Sequence, residues 1–300
     1  MLNNRVIVIL GQTSTGKSDF AVEVAKQING EIISADSRQV YKGMDLGTGK
    51  ITKKEMRGVP HHLLDIYSPS KTFTVNQFQK KAIKKIEEII KRGKVPIICG
   101  GTGFYIDAIV EGTIFPNVPP NKKLRIELSD KSSEDLLKIL IKLDKNRAQN
   151  IDINNGVRLI RAIEIAEALG SVPETIKEKS KYQFLKIGLK LPPEILKERI
   201  KVRLLSRIKK GMVKEIENLH KNGISWKRLD SFGLEYRHVA LYLQNKIKKD
   251  EMIEKLYTDI WHFAKRQITW FKRDKNTIWF DPREENEKIK VLGKIQEFLK

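Results

Sequence analysis

Cysteine is nearly missing from this 300-residue chain, which carries only Cys99. One thiol closes no intrachain disulfide and builds no cysteine-based zinc knuckle, and its place in an apolar run is that of an ordinary buried thiol. A reducing compartment fits this best. Long apolar runs are missing too. Val6-Ile7-Val8-Ile9-Leu10 stops at Gly11, shorter than the apolar core of a secretory signal, and no other run approaches the about 20 residues that a membrane-crossing helix needs. The expectation is a soluble, cytoplasmic protein. Aromatic residues are few, at 7%, and acids are scarce: 37 Asp+Glu stand against 58 Lys+Arg, a net charge of +21. Such an excess points to a polyanionic partner, nucleic acid before an anionic membrane, against the alternative of a lysine-rich solubilising surface. Apolar material is not lacking. At 40% hydrophobic the chain has ample substance for a packed core, which excludes disorder, and its length suits one large domain or two ordinary ones.

The apolar run 6–10 ending in glycine reads as a buried parallel strand, and Phe20, Val24 and Ile28 continue with helical spacing. The alternation recurs with a strand at 31–34, an amphipathic helix over 76–92 and a strand at 95–101. Strand and helix in alternation predict an α/β fold with a parallel sheet core flanked by helices. The pattern changes near residue 113. Pro116, Pro119 and Pro120 introduce a stretch to about residue 179 with only helical periodicity, closed at one helix by Gly170. This predicts a helical insertion over 113–179, with the α/β core formed by 1–112, 180–200 and 272–300. Residues 184–191 restore a strand, 277–280 form the last one, and 201–271 read as a basic helical segment packing on the core.

Gly11-Gln12-Thr13-Ser14-Thr15-Gly16-Lys17-Ser18 fits G-x-x-x-x-G-K-[ST] in full, between a predicted strand and a predicted helix. In that setting loop amides and the helix N-terminus cradle phosphate oxygens, Lys17 reaches a terminal phosphate and the Ser18 hydroxyl faces Mg²⁺. The motif specifies a P-loop and a di- or triphosphate, without specifying a reaction. The second strand runs out into Ser34-Ala35-Asp36-Ser37-Arg38-Gln39 and the third into Gly100-Gly101-Thr102-Gly103. Ligands bind beyond the carboxyl ends of parallel strands, so Asp36 and Thr102 belong on the rim of the phosphate loop. By position alone Asp36 serves equally as a helix cap and Thr102 as a turn residue. The third strand ends without the aspartate of a Walker B metal site, which counts against an ordinary ATPase or GTPase. His61 and His62 have no third ligand at suitable spacing, so structural hydrogen bonding is their expected role. Trp261, Trp270 and Phe271 read as core, with Lys265, Arg266 and Gln267 as RNA contacts.

A series of segments then carries a resemblance. Gly11 to Ser18, Ser34 to Thr48, Pro60-His61-His62-Leu63-Leu64-Asp65, Gly100 to Tyr105, Asn154 to Glu164, Arg203 with Met212, and Ala264-Lys265-Arg266-Gln267-Ile268-Thr269-Trp270-Phe271 occur in one order over about the whole chain. Together they resemble the tRNA dimethylallyltransferase (tRNA isopentenyltransferase) family. The resemblance implies transfer of a dimethylallyl group from dimethylallyl diphosphate to N6 of the adenosine immediately 3′ of the tRNA anticodon, with Mg²⁺ as cofactor. It further implies that the P-loop, Gly11 to Ser18, holds the diphosphate, that Asp36 is the general base, and that Thr102 and Arg203 assist the leaving group. For tRNA it implies Asp36, Ser37, Arg38, Gln39, Thr102, Arg125, Asn154, Asn155, Gly156, Val157 and Arg158, with the 113–179 insertion as a tRNA-binding unit and the 201–271 segment packing on the tRNA as well as on the core. A monomer is expected.

This chain departs from the family pattern at Phe232-Gly233-Leu234-Glu235-Tyr236-Arg237, onto which no tRNA role is carried. With one cysteine, the zinc finger of eukaryotic relatives is not expected, and the likeness is to the shorter bacterial form. A P-loop kinase and an adenylate isopentenyltransferase acting on a free nucleotide are the competing enzymes; a non-catalytic P-loop RNA binder is the competing non-enzyme. The kinase and the free-nucleotide enzyme give +21 no work to do, and the RNA binder leaves the gathering of Asp36 and Thr102 at the phosphate rim unexplained.

Overall fold

The structure is a computed structural model and describes residues 4–300. Two compact units emerge. One comprises the chain up to Gly112 together with Lys179–Lys300, the other Thr113–Glu178. The 201–271 helices are part of the first unit, not a body of their own.

The first unit opens with β1 (Arg5–Gly11), α1 (Lys17–Gln27) and β2 (Gly30–Ser34), followed by the short α2 (Lys53–Met56) and β3 (His61–His62). Helix α3 (Val75–Lys91) starts at a capping box in which Thr74 and Gln77 satisfy each other's backbone amides. Strand β4 (Val95–Gly100) and α4 (Gly103–Val110) complete this half. Within each strand the side chains alternate between two cores. Val6, Val8 and Leu10 join Ile33 and Ile98 on one face, while Ile7 and Ile9 join Ile32 and Ile97 on the other. Both faces are buried, which is why the strands read as unbroken apolar runs.

In the second unit α5 (Lys122–Leu128), α6 (Ser133–Leu143), α7 (Lys145–Gln149) and α8 (Gly156–Leu169) pack around Leu136, Leu140, Leu159 and Ile163. Each helix starts at a residue whose side chain accepts an amide three positions on: Asn121, Ser132, Asp144 and Asn155. Gly170, at φ 83°, ends α8.

The chain re-enters the first unit at β5 (Gln183–Leu189) and continues through α9 (Pro193–Lys209), α10 (Met212–Lys221), α11 (Trp226–Phe232), α12 (Leu234–Leu243), α13 (Lys249–Phe271), β6 (Ile278–Phe280) and α14 (Glu285–Leu299). The sheet has six parallel strands in the order β3-β2-β4-β1-β5-β6. In register, Leu10 stands beside Gly100, Ser34 beside Cys99 and Gly11 beside Leu189. The loops after β1, β2 and β4 therefore leave one edge of the sheet together. At Gly11 the backbone takes φ 138°, and a Cβ there would overlap the Leu189 carbonyl; only glycine turns the chain from strand into phosphate loop at this point.

Candidate active site

The phosphate loop lies at the middle of that edge. Thr15 is fully buried and its hydroxyl donates to the Gln12 carbonyl at 2.8 Å, which ties the loop to itself. Two further bonds tie it to α13: Gln12 Nε2 donates to the Ala264 carbonyl at 3.1 Å, and Gln267 Oε1 accepts the Thr13 amide at 2.8 Å. Gln267 also donates through Nε2 to the Gly101 carbonyl at 2.9 Å. One buried side-chain amide thus joins the loop after β1 to the loop after β4. This corrects the sequence expectation for Gln267 as an RNA contact, because both ends of its amide are spent inside the protein. Its position gave a signal. Ala264, Gln267 and Phe271 are the buried stripe of α13, and a polar residue on such a stripe must find partners there.

Lys17, on the first turn of α1, donates to the Gln12 carbonyl. Burial, helped by the Arg203 guanidinium, pulls its ammonium down to about 8, against the Cys99 thiol and the Asp36 carboxylate, which raise it. Burial and the neighbouring Arg207 likewise lower Arg203 from the ordinary arginine value. Arg203 donates to the Gly49 carbonyl at 3.0 Å. Asp36 acts electrostatically on both cations. Its Oδ1 accepts the amides of Arg38 at 2.8 Å and Gln39 at 3.2 Å, so the helix-cap reading of Asp36 is realised as a turn that orients the carboxylate. Thr102 stands at the start of α4 without capping it through its side chain. Its Oγ1 accepts the Ser37 amide at 3.0 Å and locks the β2 loop to the β4 loop. The structure brings together Lys17, Asp36, Ser37, Arg38, Gln39, Thr102 and Arg203. Ser18 is exposed in the first turn of α1.

The opposite face of α13 forms a groove of about 490 Å³ lined by His262, Lys265, Arg266, Thr269, Trp270 and Arg273. Its cations face outward, as expected of Lys265 and Arg266. Trp270 donates through Nε1 to Asp107 at 2.8 Å, with the Arg273 guanidinium 3.8 Å over its ring. Phe271 is buried as expected, and Trp261 packs against the core with Lys197 and Lys265 over its ring.

His61 and His62 have the structural role expected of them. His61 Nδ1 pairs with the Val59 carbonyl at 2.8 Å and His62 Nε2 with Glu31 at 2.7 Å. Burial works against the Glu31 carboxylate, yet bonds from His62, Lys94 and Arg92 hold it at about 2.

In the second unit the candidates divide. Arg125 is clamped bidentately on Glu164 at 2.6 and 2.7 Å. The Glu164 carboxylate is fully buried and also accepts from the Asn121 amide and Arg161. Asn154, Asn155, Gly156, Val157 and Arg158 form the start of α8. Asn155 caps the helix by accepting the Arg158 amide at 3.1 Å, Arg158 reaches Asp152 at 3.5 Å, and Val157 is 79% exposed.

Residues 39–274 match the family model IPP transferase. The chain belongs to the IPP transferase family. It is 49% identical over 278 residues to tRNA dimethylallyltransferase 2 of Treponema denticola, covering 91% of this chain and 93% of that protein. It is 39% identical to the tRNA dimethylallyltransferase of Carboxydothermus hydrogenoformans, over 99% of this chain and all of that one. A crystal structure of the full-length tRNA isopentenylpyrophosphate transferase from Bacillus halodurans superposes with a TM-score of 0.75 at 34% identity, covering 99% and 97% of the two chains. A eukaryotic dimethylallyltransferase captured acting on tRNA gives 0.73 at 27% identity, over 89% of this chain and 69% of that one. For this IPP transferase the P-loop is part of a prenyl-transfer fold, which sets the kinase reading aside. Among the described residues no helix is long and apolar enough to cross a membrane.

Proposed function

We propose that the chain transfers a dimethylallyl group from dimethylallyl diphosphate to N6 of the adenosine immediately 3′ of the anticodon in tRNA and releases diphosphate. The observation that carries this reading is a carboxylate, Asp36, held on a turn beside the phosphate loop, with two half-buried cations, Lys17 and Arg203, that both feel its charge. A diphosphate in the loop takes over the Lys17 ammonium from the Gln12 carbonyl. The allylic C–O bond breaks as negative charge grows on the diphosphate, and loop amides, Lys17 and Arg203 stabilise that charge. The N6 lone pair forms the new C–N bond, and the N6 proton passes to Asp36, whose Oδ1 is taken up by the turn amides, which leaves Oδ2 to accept the proton. Thr102 holds Ser37 and hence the turn. The donor set for Mg²⁺ is the exposed Ser18 hydroxyl together with diphosphate oxygens, hard oxygen ligands that suit this ion. When bound it neutralises leaving-group charge.

The tRNA is engaged by Asp36, Ser37, Arg38, Gln39 and Thr102 around an extruded adenine, by the groove on α13, and by the α8 start from Asn154 to Arg158. Arg125 supports this surface by fixing α5 to α8 through Glu164. The enzyme works as a cytoplasmic monomer. The test is incubation with labelled dimethylallyl diphosphate and unmodified tRNA, with AMP and ATP as competing acceptors. Label in the anticodon loop supports the reading; label only in free nucleotide overturns it.

A further inference from the structure

The segment Asp45–Lys50 is not part of the phosphate loop, yet it is held by side chains from helices far along the chain. Its amides at Asp45, Leu46 and Gly47 all point to one carboxylate, that of Glu215 on α10, at 3.0, 2.6 and 2.9 Å. Its carbonyls at Leu46 and Gly47 both accept from Arg207 on α9, whose guanidinium also pairs with Glu235 on α12 at 2.8 Å. The Tyr236 hydroxyl donates to the same Glu215 at 3.2 Å, and its ring lies where a Cβ on Gly47 would stand. Burial and the Glu215 charge push the Tyr236 phenol well above its usual range, so it stays a donor.

At its far end this segment presents one carbonyl, Gly49, to two residues of the site. Arg203 donates to it at 3.0 Å and the Gln39 side-chain Nε2 at 3.4 Å. Backbone groups held by a carboxylate and a guanidinium have little freedom, and the Gly49 oxygen inherits that rigidity. A long guanidinium otherwise samples many rotamers, and stabilising a developing charge needs it fixed in advance.

We infer that Glu215, working with Arg207, is a positioning residue for prenyl transfer, which sets the Arg203 guanidinium against the leaving diphosphate through the Gly49 carbonyl. The inference rests on the diphosphate role proposed above for Arg203. Glu215→Gln keeps the size but turns a donor towards amides that need an acceptor. The expected result is an about tenfold fall in kcat and in affinity for inorganic pyrophosphate, with tRNA affinity unchanged within twofold. In an Arg203→Ala background the same change should add less than twofold to either quantity, because the group it positions is gone. A full tenfold addition in that background, or unchanged kcat in the parent, overturns the inference. Tyr236→Phe, which removes one bond to Glu215 and keeps the ring, should lower kcat about twofold to threefold with the same non-additivity; it decides the matter if Glu215→Gln does not fold, and additivity there overturns the inference equally. If Arg203→Ala itself leaves pyrophosphate binding and transfer intact, the diphosphate reading fails instead.

Discussion

The phosphate rim and the start of α8 are both polar loops that open a helix, and they are built in opposite ways. At the rim the defining bonds join residues far apart in sequence: Thr13 to Gln267, Gln12 to Ala264, Ser37 to Thr102, Arg203 to Gly49. At the α8 start they are local: Asn154 to Asp152, Arg158 to Asn155, Arg158 to Asp152. Long-range bonds hold groups at fixed separations because the whole sheet and α13 must move for them to change. Local bonds shape a helix end and leave its side chains free to adjust. The first design suits bond breaking, where a small misplacement is costly. The second suits docking on a flexible polyanion.

The largest expected effect tests the rim itself. Asp36→Asn keeps the turn but removes the base, and turnover should fall by about a hundredfold or more while tRNA binding stays within about twofold. Equal turnover would place the proton elsewhere. Lys17→Ala should cost about a hundredfold in turnover and weaken pyrophosphate binding as well, since it removes a donor to the leaving group; calorimetry with pyrophosphate reads the second part.

The lowered Lys17 value sets a pH dependence. Below about 8 the ammonium is charged, and raising pH through that value removes the charge. kcat/KM for the prenyl donor should therefore fall about tenfold per pH unit above that value. Lys17→Arg, charged throughout, should abolish this alkaline limb. A limb unchanged by the substitution would belong to another group.

Gln267→Ala touches neither ligand in the proposed scheme, yet it releases the tie between the phosphate loop and Gly101. Turnover should drop about tenfold with the tRNA KM unaltered; a loss confined to tRNA KM would restore Gln267 to the RNA surface and erase the contrast with α8. The smallest effect belongs to the α8 start. Arg158→Ala should weaken anticodon stem-loop binding only a few-fold and flatten the plot of log K against log salt by about 0.7 to 0.9. A flat response of the parent protein to salt would mean that the +21 charge is solvating surface.

Some of this was legible in one dimension. The P-loop is contiguous, so its eight residues name a phosphate site without any fold. The apolar runs at 6–10 and 95–99 announce buried parallel strands, and strand ends that share an edge place Asp36 and Thr102 on the rim. The break in pattern at 113 coincides with the chain leaving the first unit. The two-residue β3 was not legible, since His61 and His62 are strand only by pairing with Ile32 and Ile33. Helices α11 and α12 carried no clear period because Gly233, at φ 73°, breaks them into short pieces.

What the sequence determined by itself was therefore chemistry that lies on neighbouring residues: the phosphate loop, the strand ends, the charge. What only the tertiary structure decided was which polar groups are spent. Arg125, Glu215 and Arg207 look in sequence like ordinary exposed helix residues, and Gln267 like an RNA contact. Each is instead committed to a partner 39 to 254 positions away, as with Arg125 and Glu164, or Gln267 and Thr13. The physical reason is that periodicity reports which face of an element is apolar, whereas the partner of a buried polar group depends on where distant segments cross.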